Sequence, residues 1–297
     1  MTYTDDILYL MSKSEITDYS IYDNKPINSP FRWPGGKFYA RKLISDYIPQ
    51  HSFYIEPYLG GGSVFFYKNK TTSFLNDLDE ELVNCYIQIR DNLEDFLRLI
   101  ENEKASKDRH NFFKNEYKPK NDLERAKRFY YLNRTSYSGI MNRKNCYWGY
   151  GEKYSMKPEN WPRQIIKNHI KLRGVKISSI NALESIENNL KKDTFVFLDP
   201  PYFNADQDKF YQEIFTPNDH KLLAAYLKEE SKNFKFLLTY DDCEEIRELY
   251  SWTKFIDNKE WNYVISRTDD QKNKKQMEDG HFQKRNKGKE IFISNYS

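Results

Sequence analysis

The nine residues Thr194–Tyr202, TFVFLDPPY, constrain the fold more than any other stretch. An apolar run rich in Phe and Val stops at Asp199, two prolines and Tyr202, which reads as a buried parallel strand whose carboxyl end opens into a pocket. Ligands of open α/β sheets bind at such ends. Pro201 disfavours the α region for Pro200, and both prolines have φ near about −65°, so the Pro200 carbonyl points in a nearly constant direction. An exocyclic amino group on a nucleobase is a poor nucleophile because its lone pair is delocalised into the ring. A carboxylate at Asp199 and the carbonyl of Pro200 can accept its two N–H groups and turn the lone pair outward. The Tyr202 ring offers a stacking face, worth roughly 1–3 kcal/mol per base. The plainer alternative is a strand ending in a Pro-rich turn with an exposed Asp.

A chain of 297 residues accommodates one large α/β domain, or a core domain with an insertion. No apolar run approaches the roughly 20 residues that span a bilayer, and Asp5 and Asp6 precede the first short apolar patch, so no secretory signal is expected. Cys85, Cys146 and Cys243 lie far apart with no CxxC pair, which predicts a reducing, cytoplasmic setting, no disulfide framework and no metal site. Charge is unevenly placed. Lys104 to Lys176 holds 19 Lys and Arg against 6 Asp and Glu, while the whole chain nets only +3. A basic middle in an acidic remainder predicts one polyanion-binding face on the molecule; solvated helix faces are the plainer reading of any single lysine.

Residues 1–28 show no clear amphipathic period and read as an N-terminal extension. In SPFRWPGGKFYARKL (Ser29–Leu43), a Pro34-Gly35-Gly36 turn precedes Lys37 and a helical pattern through Ile48, an arrangement suited to an anionic group, with Trp33 able to cover a planar ring. Phe53–Glu56 reads as the first strand, followed by Gly60-Gly61-Gly62, where a ligand can lie against the backbone. The spacing is not GxGxxG, which argues against a nicotinamide or flavin dinucleotide. A second strand, Thr72–Leu75, leads into NDLDEEL. Asp77 and Asp79 stand where such folds place the acid that takes ribose hydroxyls, and one of the two is expected to cap the following helix, Glu80–Ile100.

Residues 104–170 read as helical in their first half and as loop or hairpin from Ser138 to Pro158. There Arg134, Arg143 and Lys144 interleave with Tyr137, Tyr147, Trp148 and Tyr150, a composition suited to phosphate contacts and base stacking. Strands are expected at Val175–Ile180, Thr194–Leu198, Phe234–Thr239, Trp261–Ser266 and Glu290–Asn295, with helices at Pro217–Ser231 and Cys243–Tyr250. Arg267–Lys289 reads as a polar, Lys-rich loop. The last two strands have no helix between them, so the sheet is expected to be mixed and to end in an antiparallel hairpin.

Taken together and in order, FRWPGGK, YIEPYLGGGSVFF, LNDLDEEL, LNRTSYSG, LDPPY, TYDDCEEIRELY and GKEIFISNY resemble the Dam-like (D12 class, α group) N6-adenine-specific DNA methyltransferases, from about Ser29 to Tyr296. The resemblance implies a Rossmann-like α/β S-adenosylmethionine domain with a mixed, mainly parallel sheet, here 29–103 and 171–297. Residues 104–170 would form a smaller, mostly helical DNA-recognition insertion. It makes Trp33 and Lys37 contacts of S-adenosylmethionine, favours Asp77 over Asp79 as the cofactor acid, and assigns Gly60, Gly61 and Gly62 to the close backbone approach; Glu56 is grouped with them. Asp199, Pro200 and Tyr202 become the catalytic set, with Asp199 near both cofactor and target amine. Arg134, Tyr137, Arg143 and Lys144 become DNA contacts. Pro34 stands where many members have a small residue and Arg32 where Lys is frequent. Asn145–Tyr154 departs most from the better-known members, so the target sequence cannot be borrowed from them.

The activity so implied is methyl transfer to N6 of adenine in duplex DNA by base flipping, with double-stranded DNA as partner and a cognate restriction endonuclease as a candidate one. Two alternatives stand beside it. Transfer to N4 of cytosine, or to a glutamine amide, uses a similar proline–tyrosine pocket; the Asp of DPPY and the basic insertion argue against these. A DNA-binding homologue without catalysis is opposed by the intact DPPY and GGG.

Overall fold

The computed structural model describes residues 24–142, 144–210, 214–262 and 287–297. The expectations for Arg143, for most of the N-terminal extension and for most of the Lys-rich loop lie outside the described residues.

Strands β1 (Phe53–Glu56) and β4 (Thr194–Leu198) are buried at every position, as befits central strands covered on both faces. Each pairs in parallel with the other, β1 also with β2 (Thr72–Asn76), β2 with β3 (Lys176–Ser178), and β4 with β5 (Lys235–Asp241). β7 (Lys287–Ser294) runs antiparallel to β5, and β6 (Phe255–Asn262) antiparallel to β7. The resulting seven-stranded order is β3-β2-β1-β4-β5-β7-β6. Strand order reverses between β1 and β4, the switch point at which doubly wound sheets open a crevice.

Because neighbouring residues of a strand face opposite ways, Tyr54 joins one core cluster and Ile55 the other. On the Tyr54 side the cover comes from α1 (Arg41–Tyr47), α2 (Ser63–Tyr67), α3 (Glu80–Asp91) and α4 (Leu93–Ile100). That same cluster takes in Phe113 of α5 (Lys107–Asn115), Phe129 and Tyr130 of α6 (Asp122–Thr135), and Trp161 of α7 (Trp161–Leu172). The helices of the basic segment therefore share the main core. On the Ile55 side lie α8 (Ala182–Glu187), α10 (Pro217–Glu230) and α11 (Glu244–Leu249), while α9 (Gln207–Phe210) has no buried residue. Among the described residues, no helix is long and apolar enough to cross a membrane.

Three local expectations are corrected. The helix expected over Glu80–Ile100 divides at Asn92, whose φ of −124° and ψ of 44° end α3 before α4 begins; its side chain turns back to Gln88 Oε1 at 2.8 Å, the kind of local competition by which Asn interrupts helices. The strand expected at Trp261–Ser266 starts earlier, at Phe255, where pairing with β7 begins opposite Ser294; residues 263–266 of that expectation lie outside the described residues. The PGGK turn does not open a helix: α1 begins only at Arg41, after an Ala40 cap with no side-chain hydrogen bond.

Candidate active site

The carboxyl ends of β1, β2, β4 and β5 bring most of the expected residues to one edge of the sheet. Asp199 follows β4. Its Oδ1 accepts from Lys37 Nζ at 2.6 Å and from Thr239 Oγ1 of β5 at 2.8 Å. Lys37 is nearly inaccessible, with 3% of its side chain exposed against 18% for Asp199. It also donates to Gly35 O at 3.0 Å, and its Nζ lies 4.7 Å from the centre of the Tyr202 ring. The anion that the PGGK lysine meets in this structure is thus the Asp199 carboxylate.

Tyr202 donates its phenolic hydrogen to Glu290 Oε2. Glu290 belongs to β7, and its register opposite Asp241 carries it to the carboxyl end of β5. Burial holds the Glu290 carboxyl up at about 7, against the pull of Lys37, and burial raises the Tyr202 phenol. Asp241 organises the turn beyond the prolines: it accepts from the backbone N–H of Phe203 at 3.0 Å and of Asn204 at 3.1 Å. Sequence reasoning missed Thr239, Asp241 and Glu290. The period of two in KEIFIS, which puts Glu290 on the same side as the buried Phe292, was the available signal for the last.

On the other side of the switch point the glycine loop follows β1. Gly60 has φ +47°, and a Cβ there would come within 2.7 Å of the Trp33 indole; one on Gly61 would meet Trp33 Cβ at 3.0 Å. The close approach assigned to these glycines is therefore made in this structure by Trp33, which roofs the loop, while Gly62, at φ +65°, packs near the Tyr86 hydroxyl. Gly60 N donates to Asp77 Oδ2 at 2.6 Å and Asp79 N to Asp77 Oδ1 at 3.0 Å. Asp79 Oδ1 accepts from Glu81 N and Leu82 N, capping α3. The two acids thus divide the roles: Asp79 caps, and Asp77 is held against the glycine loop with its carboxyl raised by burial to about 6. Glu56 is deeper, 2% exposed; it accepts from Tyr54 Oη at 2.7 Å, and burial lifts its carboxyl to about 8.

The basic segment is placed less simply. Tyr137 is half-buried and Lys144 exposed, but Arg134, expected to contact DNA, sits in the last turn of α6 with 6% exposure. Its Nε has no hydrogen-bond partner among the described residues, and burial, then Tyr130 and Tyr150, shape its environment. It lies in the last two turns of α6, where every residue from Phe129 to Thr135 is buried, which explains why a residue read as a surface contact is enclosed. The loop that follows closes by a bridge between Ser136 and Trp148.

A mainly parallel sheet whose strand order reverses between a glycine loop and an Asp-Pro-Pro-Tyr turn, with an acid after the second strand, fits a Rossmann-like methyltransferase. Residues 33–265 match the family described as D12 class N6 adenine-specific DNA methyltransferase, and the chain belongs to that family. It is 31% identical over 234 residues to type II methyltransferase M.CviBI of Paramecium bursaria Chlorella virus NC1A, covering 76% of this chain and 86% of the relative. It is 26% identical over 246 residues to type II methyltransferase M1.LlaDCHI of Lactococcus lactis subsp. cremoris, with the same two coverages. The DNA N-6-adenine-methyltransferase of Escherichia phage P1 is 27% identical over 238 residues, 75% of this chain and 31% of the phage protein.

Proposed function

We propose that this adenine-specific DNA methyltransferase takes its methyl group from S-adenosylmethionine and receives the target adenine rotated out of duplex DNA. The observation that carries the reading is the meeting of Asp199, Lys37 and Tyr202 at the switch point, across from the Trp33-roofed glycine loop. The residues fit the donor. A nucleoside needs a carboxylate for its ribose hydroxyls and no phosphate cradle, and Asp77, with backbone donors from Gly60, Leu78 and Asp79, keeps acceptor capacity beyond those three. Trp33, Glu56, Gly60, Gly61, Gly62 and Asp77 would hold it. When bound, it supplies an electrophilic methyl carbon.

The remaining chemistry belongs to this chain. Asp199 and the Pro200 carbonyl accept the two N6 hydrogens, which localises the lone pair on nitrogen, and the Asp199 carboxylate takes the proton that N6 sheds once the methyl group is bonded to it. Tyr202 stacks the extruded base, offsetting part of the cost of unpairing it. Orientation and acceptors suffice, with no covalent intermediate. Tyr137 and Lys144, with Arg143, would meet the DNA from the 104–170 insertion, and Arg134 would support that surface from beneath. The names of the relatives from the Chlorella virus and Lactococcus favour a place beside a cognate endonuclease. A cytoplasmic setting accords with a DNA substrate.

The test is incubation of the purified protein with duplex DNA and methyl-tritiated S-adenosylmethionine, followed by nucleoside digestion and mass spectrometry. N6-methyl-2′-deoxyadenosine is expected; N4-methyl-2′-deoxycytidine, or no label in DNA, would overturn the proposal.

A further inference from the structure

Glu290 is a costly residue to keep where it is. It is 2% exposed, and its Oε1 has no hydrogen-bond partner among the described residues. A buried carboxylate with an unsatisfied oxygen is destabilising, so fold stability does not account for it. Its other oxygen accepts the hydrogen of Tyr202 Oη. That contact spans 88 residues of sequence and exists because β7 returns antiparallel to β5, which puts the start of β7 at the active edge of the sheet. The other groups facing Glu290 are Lys37, Asp199 and Asp241.

We propose that Glu290 is a positioning residue for methyl transfer, which sets the orientation of the Tyr202 ring, and so the plane of the stacked adenine, through the phenol–carboxylate hydrogen bond. The proposal deepens the reading of the previous subsection and rests on it. Tyr202 follows two prolines that fix the backbone but leave the ring free to turn about its side-chain bonds. Lys37 lies over the ring, but a cation above a ring face restrains rotation weakly. A hydrogen bond at the far end of the side chain restrains it directly. Reacting atoms must meet within a narrow range of distance and angle, so a small rotation of the base costs rate without costing DNA affinity.

The experiment uses the full-length protein, with wild-type transfer to adenine as the control on the underlying reading. Glu290→Ala removes the acceptor, Glu290→Gln keeps an amide oxygen there, and Glu290→Met fills the volume without an acceptor if the alanine variant fails to fold. Glu290→Ala or Glu290→Met is expected to lower kcat about tenfold and to change the fluorescence of 2-aminopurine at the target position, with DNA Kd within about twofold of wild type; Glu290→Gln should recover most of kcat. In a Tyr202→Phe background, removing the acceptor should cost less than about twofold more, because the Tyr202–Glu290 interaction is already gone. Wild-type kcat and fluorescence in the acceptor-less variants, or losses that multiply with Tyr202→Phe, would overturn the positioning role. Absence of transfer by the wild-type protein would instead overturn the reading beneath it.

Discussion

Lys37 Nζ stands 2.6 Å from Asp199 Oδ1, so the lysine of PGGK and the aspartate of DPPY, distant in sequence, form one ion pair with the lysine enclosed and the carboxylate partly exposed. The pair holds in place the carboxylate proposed to accept an N6 hydrogen. Asp199→Ala takes the partner carboxylate away from the enclosed Lys37, whereas Asp199→Asn keeps shape and an oxygen acceptor. Both Asp199→Ala and Lys37→Met should retain DNA binding within a few fold and lose methyl transfer by about a hundredfold or more, the range of a lost positioned polar group at a reacting centre. Tritium incorporation and a gel-shift titration check this. Equal activity in Asp199→Ala is incompatible with the assigned mechanism.

Gly60 is the second position where chemistry and backbone meet. Its φ is +47° and a side chain there would strike the Trp33 indole. Gly60→Ala should lower stability by about 1–3 kcal/mol, from positive φ and displacement of the indole. Affinity for S-adenosylmethionine in calorimetry should fall with it. Adding Trp33→Ala should restore part of the stability, since the clash is then gone, but not the affinity. Independent, additive stability losses would show that the indole does not roof the loop in solution.

Asp77 and Asp79, separated by Leu78 alone, give opposite expectations. Asp79 caps α3 through two backbone donors, and Asp79→Ala should cost about 1 kcal/mol in denaturant unfolding with cofactor affinity unchanged. Asp77→Asn retains one acceptor oxygen and should weaken cofactor binding at least about tenfold, the loss expected when a site built to take hydroxyls loses its carboxylate. A cofactor Kd that tracks Asp79 would reverse the assignment.

Stability should depend on pH through Glu56. Burial holds its carboxyl at about 8 in the folded chain, above the ordinary value of 4.5. Between those values the folded state binds more protons than the unfolded one, so stability from this group is complete below about 4.5 and falls as pH rises towards about 8. Lys68 opposes the shift; Tyr54, by its hydrogen bond, does so too, and Asp199 adds to it. Glu56→Gln removes the contribution of this group, while those of Asp77 and Glu290 remain in both proteins. Its stability relative to wild type should improve between pH 5 and pH 8.5, by on the order of a few kcal/mol, in paired urea titrations. A constant difference at the two pH values would show that Glu56 does not titrate in this window.

Much of this molecule is written in local patterns. The apolar run ending in Asp199-Pro200-Pro201-Tyr202, the three glycines after Phe53–Glu56 and the acids after Thr72–Asn76 identified strands β1, β2 and β4 and the edge that carries the site, because strand burial, turn geometry and capping depend on neighbours a few residues apart. Tertiary structure decided what depends on distant partners. The pairing of Lys37 with Asp199, the roofing of Gly60 by Trp33, the burial of Arg134 among core aromatics and the arrival of Glu290 beside Tyr202 follow from sheet order, register and helix packing. A buried charge looks, in sequence, the same as a solvated one. Only the fold determines which charges lose their water and which partners replace it.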